Sequence, residues 1–87
     1  MKYCIFKRNQ LLLPLIFPDC VTHAEIKIED AELISAGFCN IDKNSFVWVD
    51  MNMKSESTGK SPREEDQKIL QGVVWQFPTS SFLDFSD

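Results

Sequence analysis

One histidine and three cysteines, with no CxxC pair among them, leave this 87-residue chain without the ligand spacing of a structural zinc site or a disulfide framework. Cys4, Cys20 and Cys39 are expected instead to be buried thiols in a reducing cytosol. Positive charge is also in deficit: nine Lys and Arg stand against thirteen Asp and Glu, a net charge of −4. That balance disfavours direct nucleic-acid binding, which needs a basic surface to neutralise phosphates. It suits either a basic partner or plain solubility. Glycine is scarce, and Gly59-Lys60-Ser61 completes no phosphate-binding loop, because Lys54 stands where the motif needs its first glycine.

Long apolar runs are missing too. None approaches the roughly 20 residues that span a bilayer, so no membrane association is expected. Leu11 to Phe17, behind a charged N-terminus, has the outline of a short secretory leader. It contains Pro14 and leads to no small-residue cleavage site, so the chain is expected to be mature and cytosolic.

What remains suffices for a core. The chain is 44% apolar, with seven Phe, two Trp and one Tyr, and its length suits one domain, 1–87, with a core over 2–77 and a tail over 78–87. The central pattern runs from Glu32 to Met53, two alternating stretches either side of Asp42-Lys43-Asn44-Ser45. It predicts a β-hairpin, with Asn44 taking the left-handed turn position. Alternation in the second strand places Val47, Val49, Met51 and Met53 toward the core and Phe46, Trp48, Asp50 and Asn52 on the opposite face. In the first strand it groups Ile34, Ala36 and Phe38 against Leu33, Ser35, Gly37, Cys39 and Ile41. Gly37 signals a bulge or the close approach of a bulky neighbour such as Trp48.

Lys2 to Lys7 and Gln10 to Phe17 predict an earlier hairpin beside the central one, its Pro14-bearing strand outermost because proline donates no ladder hydrogen bond. Between the hairpins, Thr22 and Glu25 have capping-box spacing, while Ile26 and Ile28 alternate like a strand. A short helical turn from about His23 is the favoured reading. Glu25, Glu29, Asp30 and Glu32 make this region acidic, either as a solvated face or as a docking surface for a basic partner.

Lys54 to Lys60 is the most flexible-looking stretch. Ser61, Pro62 and Glu64 then combine an N-cap hydroxyl, a first-position proline and a capping-box glutamate, which predicts a helix. Glu64, Glu65 and Asp66 suit its first turn by complementing the helix dipole. Ile69, Leu70, Val73, Val74 and Phe77 recur at helical spacing and form a stripe to pack on the sheet; Pro78 ends the helix. The fold expected is therefore α+β, an antiparallel sheet of about four strands with one C-terminal helix on a face. In the tail, Phe82, Leu83 and Phe85 either cover the domain or form a partner-binding element.

No catalytic, cofactor or metal constellation emerges: His23 has no base or nucleophile at a readable spacing, and the carboxylates follow no shared-site pattern. A family resemblance supplies a direction. Phe17-Pro18 followed by His23, Ser35-Ala36-Gly37-Phe38, Ser55-Glu56-Ser57, and Lys60-Ser61 with Glu65-Asp66 ahead of Ile69-Leu70 resemble short uncharacterised proteins encoded in phages and prophages. The likeness spans roughly Ile16 to Leu70. The chain departs from that pattern in the proline directly after Ser61 and in a shorter interval after Ser55-Glu56-Ser57. The resemblance implies a small accessory protein of a mobile element, in a class that includes anti-CRISPR inhibitors of host defence, acting in the host cytoplasm.

The function expected from these features is non-enzymatic: stoichiometric binding to a host protein complex with a basic surface. Glu25, Glu29, Asp30, Glu32, Phe46, Trp48, Phe82 and Phe85 are the candidate contact residues. The alternative is a structural or regulatory phage component that self-associates through an edge strand or the tail aromatics; the state expected is monomer or homodimer.

Overall fold

Strands β1 (Lys2–Arg8), β2 (Leu11–Phe17), β3 (Glu32–Ile41) and β4 (Val47–Lys54) form one antiparallel sheet in the order β2-β1-β3-β4, followed by a helix, α1 (Glu64–Gln76). The computed structural model describes residues 1–76, so Phe77 and the tail with Phe82, Leu83 and Phe85 lie outside the described residues. The α+β architecture is the one the alternation and capping patterns predict.

Pro14 sits where expected, on the outermost strand, opposite Ile5. Asn9 and Gln10, both at positive φ (51° and 68°), close β1 onto β2 in a two-residue turn whose twist matches the strands. That turn makes Arg8 and Leu11 a hydrogen-bonded pair, so Leu12, Pro14 and Ile16 direct their backbone groups away from β1. The N–H that proline lacks is therefore one that the open edge would have presented.

β1 is buried on both sides, which divides the apolar interior in two. Tyr3 and Ile5 join Cys39, Val47, Leu70 and Val74 beneath α1. Cys4 and Phe6 join Phe17 and Ala36 on the other face, packed against Val21, Ile26, Ile28 and Ala31 of the segment that links β2 to β3. That segment contains a 3-10 turn over His23–Glu25, in line with the favoured helical reading. The Glu25 carboxylate accepts from the Thr22 N–H at 3.0 Å and from its hydroxyl at 2.9 Å, which holds its pKa below the usual range. Ile26 and Ile28 alternate because both turn inward, not because they pair with a strand.

Two register breaks correct the expected faces. Ile5 lies opposite Ser35 while Phe6 lies opposite Leu33, so Ile34 is an extra residue in β3. The bulge puts Ile34 in the core beneath the helix and Leu33 with Ala36 on the far side, the reverse of strict alternation. Farther on, Cys39 faces Val49 but Gly37 faces Lys54, so one residue of β3 spans four of β4. The surplus backbone carries Met51 and Met53 past the helix, where they are 47% and 46% exposed and not in the core as expected. Only Val47 and Val49 of that set contribute to it.

Three local expectations also change. Tyr3, not Trp48, is the bulky neighbour of Gly37: a Cβ there would meet the phenol ring at 3.1 Å. Ser45 (φ 67°), not Asn44, takes the left-handed position, because the Asp42 carboxylate accepts from the Asn44 and Phe46 N–H groups at 2.8 and 3.0 Å and leaves Ser45 to reverse the chain. α1 begins at Glu64, not at the Ser61-Pro62 signal, because Asp66 caps Arg63. The stretch expected to be most flexible is a closed turn: Ser55 is buried, its N–H reaches the Lys60 carbonyl at 2.9 Å, and Gly59 N–H reaches the Ser55 carbonyl at 2.8 Å. No helix among the described residues is long and apolar enough to cross a membrane.

Candidate partner-binding face

Sequence reasoning missed the one fully buried carboxylate among the described residues. Asp66, expected in the first turn as a complement to the helix dipole, has no exposed surface. It accepts from the Tyr3 hydroxyl at 2.7 Å, the Ser35 hydroxyl at 3.0 Å and the Arg63 N–H at 2.9 Å, and pairs with the Arg63 guanidinium at 3.2 Å. Burial, then the bond to Asp66, push the Tyr3 phenol well above its ordinary value. The Tyr3 and Ser35 bonds fix α1 to the sheet and the Arg63 bonds cap the helix, so the cluster is architectural. No local spacing signals it, because Tyr3, Ser35 and Asp66 converge only through the fold.

His23 is likewise internal. It is 3% exposed, its Nε2 donates to the Gly37 carbonyl at 2.7 Å, and its ring meets Phe17 and Phe38 edge-on at 5.6 and 5.2 Å. An open cleft of about 410 Å³ lies alongside, lined by Phe6, His23, Ile26, Ile28 and Leu33 with Lys27. Of the thiols, burial raises Cys4 and Cys39 to about 11, whereas Cys20 is exposed, correcting the expectation that all three are buried. No cluster of three or more metal-ligating side chains occurs among the described residues.

The four acidic candidates are exposed but do not form an unbroken negative face. Glu32 pairs across the sheet with Lys7, the Arg8 guanidinium donates to the Glu29 carbonyl at 3.3 Å, and Lys27 lies exposed between Glu25 and Glu29. These cations offset much of the charge. The cluster is also distant from the aromatic candidates: Glu32 opens β3 whereas Trp48 lies opposite Asn40, eight residues along, or about 26 Å of strand.

The aromatic candidates form the better-defined feature. Trp48 is 59% exposed on the face opposite α1, and its Nε1 donates to Asp42 Oδ2 at 3.1 Å. Phe46, 46% exposed, sets its ring 6.4 Å from the indole at a 36° tilt. The indole bond, then the Phe46 N–H, hold the Asp42 carboxyl below its ordinary range, so it stays ionised wherever the domain is folded near neutrality. An exposed Trp is ordinarily free to change rotamer; this one is tethered at its nitrogen by the same carboxylate that shapes the hairpin turn. The tail candidates Phe82 and Phe85 lie outside the described residues.

No family model, curated protein or solved structure matches this chain.

Proposed function

We propose that the chain works by stoichiometric binding to a protein partner, without catalysis, through the β4 face that carries Trp48. The observation behind this is the large, exposed indole held in one orientation by Asp42. Trp is the residue most often found as an interface anchor, and an anchor whose rotamer is already set loses less entropy on binding. The net charge of −4 and the likeness of residues 16–70 to phage-encoded proteins support the rest of the reading. The partner is a basic surface of a host complex, masked in the manner of an anti-CRISPR inhibitor in the host cytoplasm.

The test begins with capture of a partner on the tagged full chain, its identification, and repetition with both components purified. Wild type is expected to bind with an affinity that falls as salt rises. Trp48→Ala should weaken it by at least about tenfold, or roughly 1.4 kcal/mol. Binding that is indifferent to both salt and Trp48 overturns the proposal. A second reading, self-association through β2, is favoured by the exposure of Leu11, Leu12 and Leu15 and opposed by Pro14 on that edge. Light scattering on the full chain and on one lacking residues 79–87 separates the two, since a monomer in both cases removes the second reading.

A further inference from the structure

We infer that the Trp48 face receives an arginine side chain of the partner, its guanidinium stacked on the indole between Asp42 and Asp50. This rests on the partner-binding reading and adds the chemistry of recognition. The indole N–H is committed to a carboxylate at 3.1 Å, and a charge-assisted bond of this kind draws negative charge toward the ring system. The π face opposite a cation is thereby made more attractive than that of a free indole, and Trp is already the strongest aromatic partner for cations.

A second carboxylate stands close by. Asp50 is exposed two residues along β4; its Oδ1 accepts from the Asn52 N–H at 3.0 Å, while its Oδ2 accepts no hydrogen bond among the described residues. Asp42 is differently disposed, with Oδ1 occupied by two backbone N–H groups and Oδ2 by the indole, so it tunes and orients the ring whereas Asp50 keeps one oxygen for a donor. A guanidinium suits this arrangement better than an ammonium. It is flat, weakly hydrated, and able to stack on a ring while its edge donates to a carboxylate. The nearest competing cation is Lys43, exposed beside Asp42 at the hairpin tip.

The experiment uses the nitrogen-15-labelled full chain titrated with a short capped Gly-Arg-Arg-Gly peptide, against the same peptide with citrulline in place of arginine. The readout is the Trp48 indole N–H resonance, assigned by its loss in Trp48→Phe. Arginine peptide is expected to move that resonance saturably, and the neutral citrulline peptide to leave it in place. Asp50→Asn and Asp42→Asn should each weaken the arginine effect by about threefold or more, and Lys43→Ala should strengthen it. No movement with arginine, or equal movement with citrulline, overturns the inference. The two proposals fail separately: a captured partner that depends on Trp48 while the arginine peptide does nothing keeps the binding function and removes the cation, and the converse result does the opposite.

Discussion

Asp66 and Asp42 each accept a hydrogen bond from an aromatic side chain, Tyr3 at 2.7 Å and Trp48 at 3.1 Å, and there the likeness ends. Asp66 is wholly buried and its other acceptor sites are filled by Ser35 and Arg63, so its aromatic partner is fixed in order to join helix to sheet. Asp42 is at the surface and its aromatic partner is fixed while remaining in contact with solvent. The same pairing builds the fold where water is excluded and prepares a surface where it is not. The difference follows from desolvation: a buried polar group that loses its partner has nothing to replace it, whereas an exposed one turns to water.

The sharpest way to break this contrast is Asp66→Ala, which strands the Tyr3 and Ser35 hydroxyls and leaves Arg63 with Glu65 as its remaining carboxylate. A loss of about 3 to 5 kcal/mol in urea unfolding is expected; a loss below about 1 kcal/mol means the network is dispensable. Next comes the edge of β4. Gln71 accepts from the Val47 N–H and Gln67 from the Val49 N–H, both at 2.9 Å, so two helix side chains stand where a neighbouring strand would pair. Replacing both with Ala should cost about 2 kcal/mol and expose an unpaired edge, read as concentration-dependent association in light scattering. The β2 edge, guarded by Pro14 instead, provides the internal comparison.

Tyr3→Phe removes one donor from Asp66 and is expected to cost about 1 to 2 kcal/mol. It also tests a pH effect. Because the folded state raises the Tyr3 pKa from its ordinary 10.0, the contribution of the neutral phenol is complete below that value and is lost as pH rises above it. Wild type should therefore lose stability above about pH 10 more steeply than the Phe variant, on top of a loss shared by both as Cys4 and Cys39 titrate. The smallest effect on stability belongs to Asp42→Asn, as for most surface changes. Its signature lies elsewhere: the Asp42 pKa is depressed from 3.8, so the wild-type indole tether is intact above that value and is released as pH falls through the lower folded value. The Trp48 indole resonance should report that release in wild type and show no such step in the Asn variant.

Much of the architecture was legible in the residues because it depends on neighbours in sequence. The β-type run of β1, the alternation that marks β3 as extended, the proline that confines β2 to an edge and the apolar stripe of α1 all report local preference. The 3-10 turn at His23 was legible through Thr22 and Glu25, three residues apart. Met51 and Met53 were misread because alternation assumes a continuous register, and the break after Val49 is set by how β4 meets β3, which no stretch of β4 alone encodes. The helix start was misread for a related reason: Ser61, Pro62 and Glu64 are sound capping residues, but Asp66, held by two tertiary partners, Tyr3 and Ser35, caps Arg63 instead. The acidic candidates were identified as exposed, and their dilution by Lys7 and Arg8 came from a strand pairing across twenty-odd residues of chain.

By itself, then, the sequence determined which segments extend, which one coils and where the sheet must end, since these are answered by backbone preference and by the spacing of apolar side chains. Only the tertiary structure decided that Asp66 is buried, that Trp48 is tethered, and that the β4 edge is sealed by glutamine. Each of those depends on groups that are far apart in the chain and acquire a hydrogen-bond partner only once the sheet and helix have closed on one another.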